Sequence, residues 1–311
     1  HAFEARLYAE DVAAGFLPAT GRLAQLRFPD GVRADSGVRA GDAISPWYDP
    51  MIAKIIVHGP TRDAALGRLA RALDDTEVAG SVTNLAFLAA LARHEGFRAG
   101  DVDTGLIARD LAALTAETAP DPRIAVLAAL GAAGLEAGGG PLAGFALWQP
   151  LRRTIAFENG TATVEARGPG AARVGTGGQE FDCDWRGGRW WIGGAPVTAR
   201  LVRHGDRISV FAGALGTGHL ILHDPLARRA GAGGGGLTLA PMPGLVKAVF
   251  VNAGQVVAAG DRLAVLEAMK MEHTLAAARA GTVAEVLAAP GDQVEAGAAL
   301  IRLEDETEVA A

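Results

Sequence analysis

The spacing of apolar and polar residues divides the chain into three stretches, and the first mixes strands with helices. Short apolar runs predict β-strands at residues 3–8, 23–28 and 51–57. An apolar residue at every fourth position predicts a helix over residues 61–74, which Thr61 can cap at its N-terminus. A second helix, rich in alanine and leucine, is predicted over residues 84–94. We therefore expect residues 1–115 to form one domain in which helices pack on sheet.

The second stretch changes to short strands separated by turns. A linker at residues 116–122 and a helix over residues 123–134 precede it. Apolar runs then recur every 8–12 residues between 145 and 226, a spacing typical of an all-β meander or barrel. Turn-forming pairs separate these runs: Asn159-Gly160, Gly187-Gly188, Gly193-Gly194 and Gly205-Asp206. The tryptophans expected in the core and rim of this barrel are Trp148, Trp185, Trp190 and Trp191. We predict a β-barrel built around a helix, spanning residues 120–229.

The third stretch repeats itself. After a glycine-rich linker at 230–236, five residues recur with an ungapped offset of 37, since 281 − 244 = 37. Gly244, Gly254, Gly260, Leu266 and Glu267 return as Gly281, Gly291, Gly297, Leu303 and Glu304. Strands are predicted at residues 245–251, 263–266, 282–287 and 300–303. Two copies are too few for a solenoid, so residues 237–305 predict a flattened β-barrel or sandwich with an internal two-fold axis. The whole chain is thus a multidomain α+β protein.

Composition narrows the classes of function. The 311 residues are 50% hydrophobic, which supplies ample core, and the formal net charge of −6 argues against binding to nucleic acid or an anionic membrane. Cys183 is the single cysteine, so no intrachain disulfide forms, and we expect a small buried residue in a strand rather than a nucleophile. The histidine spacing predicts no metal site. The chain starts at His1 without a signal-peptide pattern, so we expect a portion of a longer, cytoplasmic protein.

Lysine is scarce, and one lysine occupies a special position. Of 29 lysine and arginine residues only three are lysines, at 54, 247 and 270. Lys270 lies in EAMKMEH (267–273), at the seam of the repeat, on the hairpin predicted to end the first half. Only an amine forms an amide with a carboxylate cofactor, whereas a guanidinium is a poor acyl acceptor. Lys270 is therefore a candidate for covalent attachment of a carrier group, and the alternative is an ordinary surface charge.

The residues around Lys270 resemble the biotinyl domain of biotin-dependent carboxylases. They are Ala268-Met269-Lys270-Met271, preceded by Pro241-Met242-Pro243-Gly244. The resemblance implies that a biotin protein ligase joins biotin to Lys270, with Met269, Met271 and Glu267 as the residues of the attachment motif. The alternative within this fold is the lipoyl domain of 2-oxo acid dehydrogenases. Lipoyl domains usually have an acidic residue before the lysine and alanine after it, so methionine on both sides favours biotin.

Five separated motifs in residues 1–110 resemble the C-terminal subdomain of biotin carboxylase. They are HAFEARLYAED at 1–11, FLP at 16–18, GVRADSG at 31–37, YDPMIAK at 48–54, and TN at 83–84 followed by FL at 87–88. The resemblance assigns Arg33 to the active site, where it holds biotin or stabilises its enolate-like form. A salt bridge from Arg33 to Asp35 is the structural alternative.

Together the two resemblances imply the C-terminal portion of the α subunit of a biotin-dependent acyl-CoA carboxylase, a ligase and hetero-oligomer of the bacterial cytoplasm. In that family, a region preceding this segment binds ATP and Mg²⁺ and carboxylates the biotin. The carrier then moves to a carboxyltransferase β subunit docked on the middle domain. No phosphate-binding glycine loop occurs here, so we expect no activity from this chain alone.

Three features resemble 3-methylcrotonyl-CoA carboxylases, which act in leucine degradation. They are TEVAGSVTN at 76–84, EHT at 272–274, and the lack of a long insertion between Phe28 and Val32. Propionyl-CoA and related acyl-CoA carboxylases are the alternative.

Overall fold

The computed structural model describes residues 1–45, 48–116, 119–135, 145, 147–223, 236–268 and 271–304. Within them, buried apolar residues form three clusters, one in each of the stretches that the sequence distinguishes. Every sheet is confined to one stretch. No helix of the described residues is long and apolar enough to cross a membrane.

The first stretch places four helices beside a small antiparallel sheet. Its elements are β1 Ala2–Tyr8, β2 Glu10–Asp11, β3 Leu17–Pro18, β4 Gly21–Arg22, β5 Gln25–Arg27, β6 Arg33–Ser36, β7 Ala43–Ile44, β8 Met51–His58, α1 Arg62–Asp74, β9 Glu77–Ala79, α2 Leu85–Arg93, α3 Glu95–Ala99 and α4 Leu106–Leu114. Strands β1, β8 and β6 pair in that order, while β5 pairs with β9.

Helix α1 confirms the predicted helix and its cap. The Thr61 side chain accepts a hydrogen bond from the Ala64 amide at 3.2 Å, so one of the free N–H groups at the helix start is satisfied. Leu66, Leu69 and Leu73 are buried in the core that α1 shares with β8. Burial of one such leucine side chain contributes about 1.5–3 kcal/mol. The predicted strand at 23–28 is shorter in the structure, where β5 covers three residues.

The second stretch wraps two sheets around one helix. Its elements are α5 Pro122–Ala132, β10 Leu151–Phe157, β11 Gly160–Gly168, β12 Ala171–Thr176, β13 Gln179–Arg186, β14 Arg189–Ile192, β15 Ala195–Val197, β16 Arg200–His204, β17 Arg207–Phe211, a 3-10 turn Gly213–Leu215 and β18 Thr217–Ile221. Strands β10 to β15 form a six-stranded meander, and β16 to β18 form a three-stranded one.

Helix α5 lies in the core that both sheets share. Asp121 caps it by accepting from the Arg123 amide at 2.9 Å, and Pro122 occupies the first turn, where its missing N–H is no loss. The helix is apolar on nearly all sides, as expected of a buried helix. An isolated bridge from Phe157 to Leu222 joins the two sheets. The arrangement is a half-barrel with a helix inside it, and its closure into a full barrel stays a prediction.

The predicted environments of Cys183 and of the tryptophans are partly confirmed. Cys183 is buried in β13, and burial raises the pKa of its thiol to about 12, with help from the neighbouring carboxylates. Trp190 is buried and meets Trp185 edge-on, with ring centroids 5.5 Å apart. The prediction was wrong for Trp148, whose side chain is 93% exposed. Trp148 precedes β10, the first strand of the sheet.

The third stretch forms two four-stranded sheets. Its strands are β19 Leu237–Leu239, β20 Gly244–Val249, β21 Val256–Val257, β22 Arg262–Ala268, β23 Met271–Ala276, β24 Gly281–Val286, β25 Gln293–Val294 and β26 Ala299–Leu303. The strand orders are β19-β26-β24-β21 and β23-β22-β20-β25. With the 37-residue offset, β20 corresponds to β24 and β21 to β25. Each half therefore lends its shortest strand to the sheet of the other half, as a two-fold axis would require. The axis itself stays a prediction.

Candidate functional site

The hairpin of β22 and β23 flanks the predicted attachment lysine. The two strands pair antiparallel as far as Ala268 and Met271, and β22 pairs in turn with β20. Met269 and Lys270, which separate the strands in sequence, lie outside the described residues, as does the side chain of Met271. The described sheet thus fixes the strand on each side of Lys270.

Gly244 lets β20 pack closely against the end of β22 that leads into the turn of this hairpin. A Cβ atom at Gly244 would lie 2.9 Å from the carbonyl oxygen of Glu267 and 3.3 Å from the Cβ of Ala268. Only glycine lets the backbone of β20 approach β22 this closely. The neighbouring Met242 is buried. Gly244, the last residue of the Pro241 to Gly244 motif, therefore has a structural role, because it packs against the strand that leads to Lys270.

Glu267, the acidic residue of the predicted attachment motif, is half-exposed and paired with Lys247. The Lys247 ammonium lies 3.2 Å from Glu267 Oε2 and also contacts the carboxylate of Glu272. These contacts, the one to Glu272 first, raise the pKa of Lys247, and Lys247 lowers the pKa of Glu272. The sequence reasoning missed this cluster, although the scarcity of lysine could have directed attention to Lys247.

Arg33 lies in β6 and makes the ion pair that was its structural alternative. Its Nε and Nη2 atoms donate to the two oxygens of Asp35 at 2.9 and 3.1 Å, while the Arg33 side chain remains 73% exposed. Lys54 on β8 lies 3.4 Å from the same carboxylate. The hydrogen bonds from Arg33, and then those from Lys54, hold the pKa of Asp35 below its ordinary value. Asp35 therefore orients an arginine that faces solvent on an open surface.

Of the three buried polar residues in the motif at 76–84, which are Thr76, Glu77 and Asn84, the last two bind distant segments of the chain. Glu77, whose side chain is 10% exposed, accepts from Gln25 at 2.8 Å and from Arg27 at 2.9 Å. Arg200 of the half-barrel lies 3.0 Å from the same carboxylate, so Glu77 joins two of the three cores. Asn84 accepts from the Tyr8 amide at 2.9 Å and anchors the start of α2 to β1. Neither partner set was predicted from the sequence.

Two family comparisons match the outer parts of the chain. Residues 4–109 match the biotin carboxylase C-terminal domain, and residues 238–303 match the family described as biotin-requiring enzyme. The chain joins a biotin carboxylase C-terminal domain to a biotinyl domain. Biotinyl domains carry biotin covalently, and the proteins that contain this pair of domains are ligases.

Several known proteins are similar to this chain over most of its length. The methylcrotonoyl-CoA carboxylase α subunit of Dictyostelium discoideum mitochondria is 33% identical over 314 residues, covering 88% of this chain and 44% of the relative. The propionyl-CoA carboxylase α chain of Ruegeria pomeroyi is 32% identical over 350 residues, covering 94% of this chain and 50% of the relative. A solved single-chain, multi-domain long-chain acyl-CoA carboxylase is 24% identical and covers 100% of this chain and 22% of its own, with a TM-score of 0.35. The chain spans about half the length of the curated relatives.

The residues around the attachment hairpin fit a covalently bound biotin. Amide formation needs a reactive amine, and two of the three lysines are held in ion pairs, Lys54 with Asp35 and Lys247 with two glutamates. The hydrogen bonds from Lys247 to its two glutamates raise the pKa of its ammonium, which makes Lys247 a poorer nucleophile than an unpaired lysine. Among the described residues, no cluster of three or more histidine, cysteine, aspartate or glutamate side chains could hold a metal ion.

Proposed function

We propose that this chain is the C-terminal part of the α subunit of a biotin-dependent acyl-CoA carboxylase and that biotin is attached to Lys270. The observation that carries the proposal is the order of the parts. A biotin carboxylase C-terminal domain, a half-barrel around a helix and a biotinyl domain follow one another in a single chain. We propose domain limits of 1–115, 120–229 and 237–305, with a tether at 230–236.

The chain's own residues would act in two places. In attachment, the ε-amine of Lys270 displaces AMP from the activated carboxyl carbon of biotin, which forms the amide, and the proton passes to solvent. Biotin, when bound, supplies a ring nitrogen that takes up and releases a carboxyl group. Arg33, oriented by Asp35, holds a permanent positive charge that stabilises negative charge developing on the ring oxygen. ATP and Mg²⁺ would be bound by the part of the α subunit that precedes residue 1.

Covalent attachment makes the encounter between the carrier and Arg33 intramolecular. A flexible tether gives effective concentrations on the order of millimolar, and the glycine-rich sequence at 230–236 has the composition of such a tether. Gly244 allows β20 to pack closely against β22, so movement of the carrier would come from the tether rather than from a change in this sheet.

For the acyl substrate we propose 3-methylcrotonyl-CoA, with propionyl-CoA as the alternative. Identities of 33% and 32% to the two kinds of α subunit do not separate them. The motifs at 76–84 and 272–274 favour methylcrotonyl-CoA, as does the short connection of residues 28–32 between β5 and β6. Choice of acyl group would be made on the β subunit.

We propose that the carboxyltransferase β subunit docks on the half-barrel domain. A group of large apolar side chains lies exposed just before and at the start of β10: Phe145, Leu147, Trp148 and Leu151. Exposed aromatic and aliphatic side chains in one segment are typical of protein interfaces. The β subunit is the partner that the proposed two-step reaction requires, and this segment belongs to the domain that separates the biotin carboxylase C-terminal domain from the carrier domain.

Intact-mass spectrometry after co-expression with a biotin protein ligase tests the attachment. We expect one added biotin, abolished in Lys270→Arg and retained in Lys54→Arg as the matched control. A mass increment of lipoate would instead favour a lipoyl carrier. An unmodified chain would favour a structural scaffold and contradict the proposal.

Purification of the native complex tests both partner and substrate. We expect a co-purifying carboxyltransferase subunit and ATP-dependent carboxylation that is fastest with 3-methylcrotonyl-CoA in a panel of acyl-CoAs. Trp148→Ser should weaken co-purification, while Tyr48→Ser, which changes another exposed aromatic residue, should not. Deletion of residues 123–226 should abolish co-purification but not biotinylation, and persistent co-purification would place the docking surface elsewhere. The proposed cytoplasmic location is checked by cell fractionation.

A further inference from the structure

Two glutamates directly oppose each other just before the attachment residues. Glu267 on β22 is the cross-strand partner of Glu272 on β23, one pair before the last one, Ala268 with Met271. Like charges in directly opposed positions destabilise a hairpin. Strand β23 is also an edge strand, so β22 is its only partner in the sheet. The end of the hairpin that bears the attachment lysine therefore contains a built-in repulsion.

Lys247 lies where it can cancel this repulsion. The pairing of β20 with β22 shifts register between Val246 and Ala248, which makes Lys247 the extra residue of a β-bulge. Bulges re-aim a side chain relative to the regular strand. The Lys247 ammonium reaches both carboxylates, lying 3.2 Å from Glu267 Oε2 and in contact with Glu272 Oε1. The Lys247 ammonium on β20 thus bridges the carboxylates of Glu267 on β22 and Glu272 on β23.

Among the described residues, Lys247 is the cation that contacts both carboxylates. Arg262 is the other cation that acts on Glu272, and its guanidinium lies 4.1 Å from the ring centroid of Phe250, over the face of that ring. The pKa of Lys247 is raised by the two glutamates, so the ammonium stays protonated and does not compete as an acyl acceptor.

We propose that Lys247 is a positioning residue for biotin attachment, because its charge cancels the repulsion between Glu267 and Glu272 that would otherwise open the hairpin a biotin ligase must bind. This inference rests on the proposed attachment of biotin to Lys270. When the hairpin end opens, the fraction of the protein competent for binding falls, and the apparent affinity falls in proportion. The ligase therefore binds the chain with lower affinity, while the rate of amide formation in the bound complex is unchanged.

Initial rates of biotinylation separate this role from a general effect on folding. The purified biotin-free chain is incubated with a biotin protein ligase, biotin and ATP, and its concentration is varied. For Lys247→Met we expect KM for the chain to rise by up to about fivefold at low salt with kcat unchanged, since a bridge between exposed charges contributes only modestly to stability. In about 1 M NaCl, where the screening length is about 3 Å, the difference should disappear.

Rescue variants decide whether charge is the cause. Lys247→Arg restores the cation, and Lys247→Met combined with Glu272→Gln removes the repulsion, so both should return KM to that of the unchanged chain. Glu272→Gln alone should leave KM unchanged. Hydrogen exchange of the β23 amides should be faster in Lys247→Met only. An unchanged KM in Lys247→Met, or a double variant as poor as the single one, overturns the role of Lys247 while attachment stands. If the chain without substitutions accepts no biotin, the proposed function and this inference are both overturned.

Discussion

Gly80, in the 76–84 motif, should tolerate no side chain. It has a φ of +104°, and a Cβ there would lie 1.9 Å from the Arg22 carbonyl oxygen and 2.7 Å from the Ala24 nitrogen. These atoms belong to backbone and cannot move aside as a flexible side chain would. The Ala24 amide donates to the Ala79 carbonyl at 2.7 Å, so relieving the clash breaks the contact between β5 and β9.

The magnitude of the Gly80→Ala effect has two parts. Positive φ costs an L-residue about 1–2 kcal/mol, and overpacking against fixed atoms costs about 1–3 kcal/mol more. The total loss is about 2–5 kcal/mol in the free energy of opening of β9. Gly15→Ala is the matched control, because Gly15 has a φ of +79° but no atom within 4 Å of the added Cβ. Its loss should be confined to about 1–2 kcal/mol.

Hydrogen exchange measured by mass spectrometry is the suitable assay. The described chain has three separate cores, so one global unfolding free energy is not well defined, whereas exchange reports each segment. We expect β9 amides of Gly80→Ala to exchange at least about 30-fold faster, since about 1.4 kcal/mol corresponds to tenfold. Equal losses in the free energy of opening for Gly80→Ala and Gly15→Ala, each measured in the strand nearest the substitution, would refute the explanation by a backbone clash.

Three further predictions concern single side chains. Burial holds the pKa of His219 below the ordinary value of 6.5. As pH falls below about 6.5, His219 therefore becomes protonated in the unfolded chain before it does so in the folded chain. Proton binding then favours unfolding, so the half-barrel should lose stability. Melting curves at pH 7.5 and 5.5 should show this loss, and it should shrink in His219→Gln, which can keep a hydrogen bond to Ser209, 2.8 Å from Nδ1. Cys183 should resist iodoacetamide in the native chain at pH 8 and react after unfolding, because its thiol is buried with a pKa of about 12; rapid native labelling would contradict the buried placement. Arg33→Met should lower ATP-dependent acyl-CoA carboxylation by the complete complex about 100-fold or more and leave biotin attachment unchanged. An active Arg33→Met complex would assign this arginine to a structural ion pair with Asp35.

Local patterns in the sequence predicted the elements that local forces determine. The Thr61 cap and the apolar residue at every fourth position of α1 are signals within one helix, and the structure confirms both. The glycine turns of the half-barrel and the 37-residue repeat are likewise visible without tertiary contacts. The resemblance to known families located both matched domains, and Lys270 remains a prediction outside the described residues.

Long-range contacts account for what the sequence did not predict. Glu77 meets Arg200, which is 123 positions away, so no local pattern signals the pair. Trp148 was predicted, with the other tryptophans of the stretch, to lie in the core or rim of the barrel, yet it is 93% exposed. Lys247 and Glu272 become neighbours only when β20, β22 and β23 align with a bulge at one position. In each case the partner is chosen by packing of distant segments rather than by spacing.

The exchange of β21 and β25 between the two sheets of the carrier has a consequence for its evolution and its breakdown. Each half contributes two strands to the sheet of the other half, so separation of the halves would leave both sheets incomplete. A duplicated ancestor could have gained this fold only as a fused pair or as two associating copies. In the present chain, the carrier domain should unfold cooperatively. Limited proteolysis should therefore yield either the intact domain or its complete digestion, without a stable half-domain fragment.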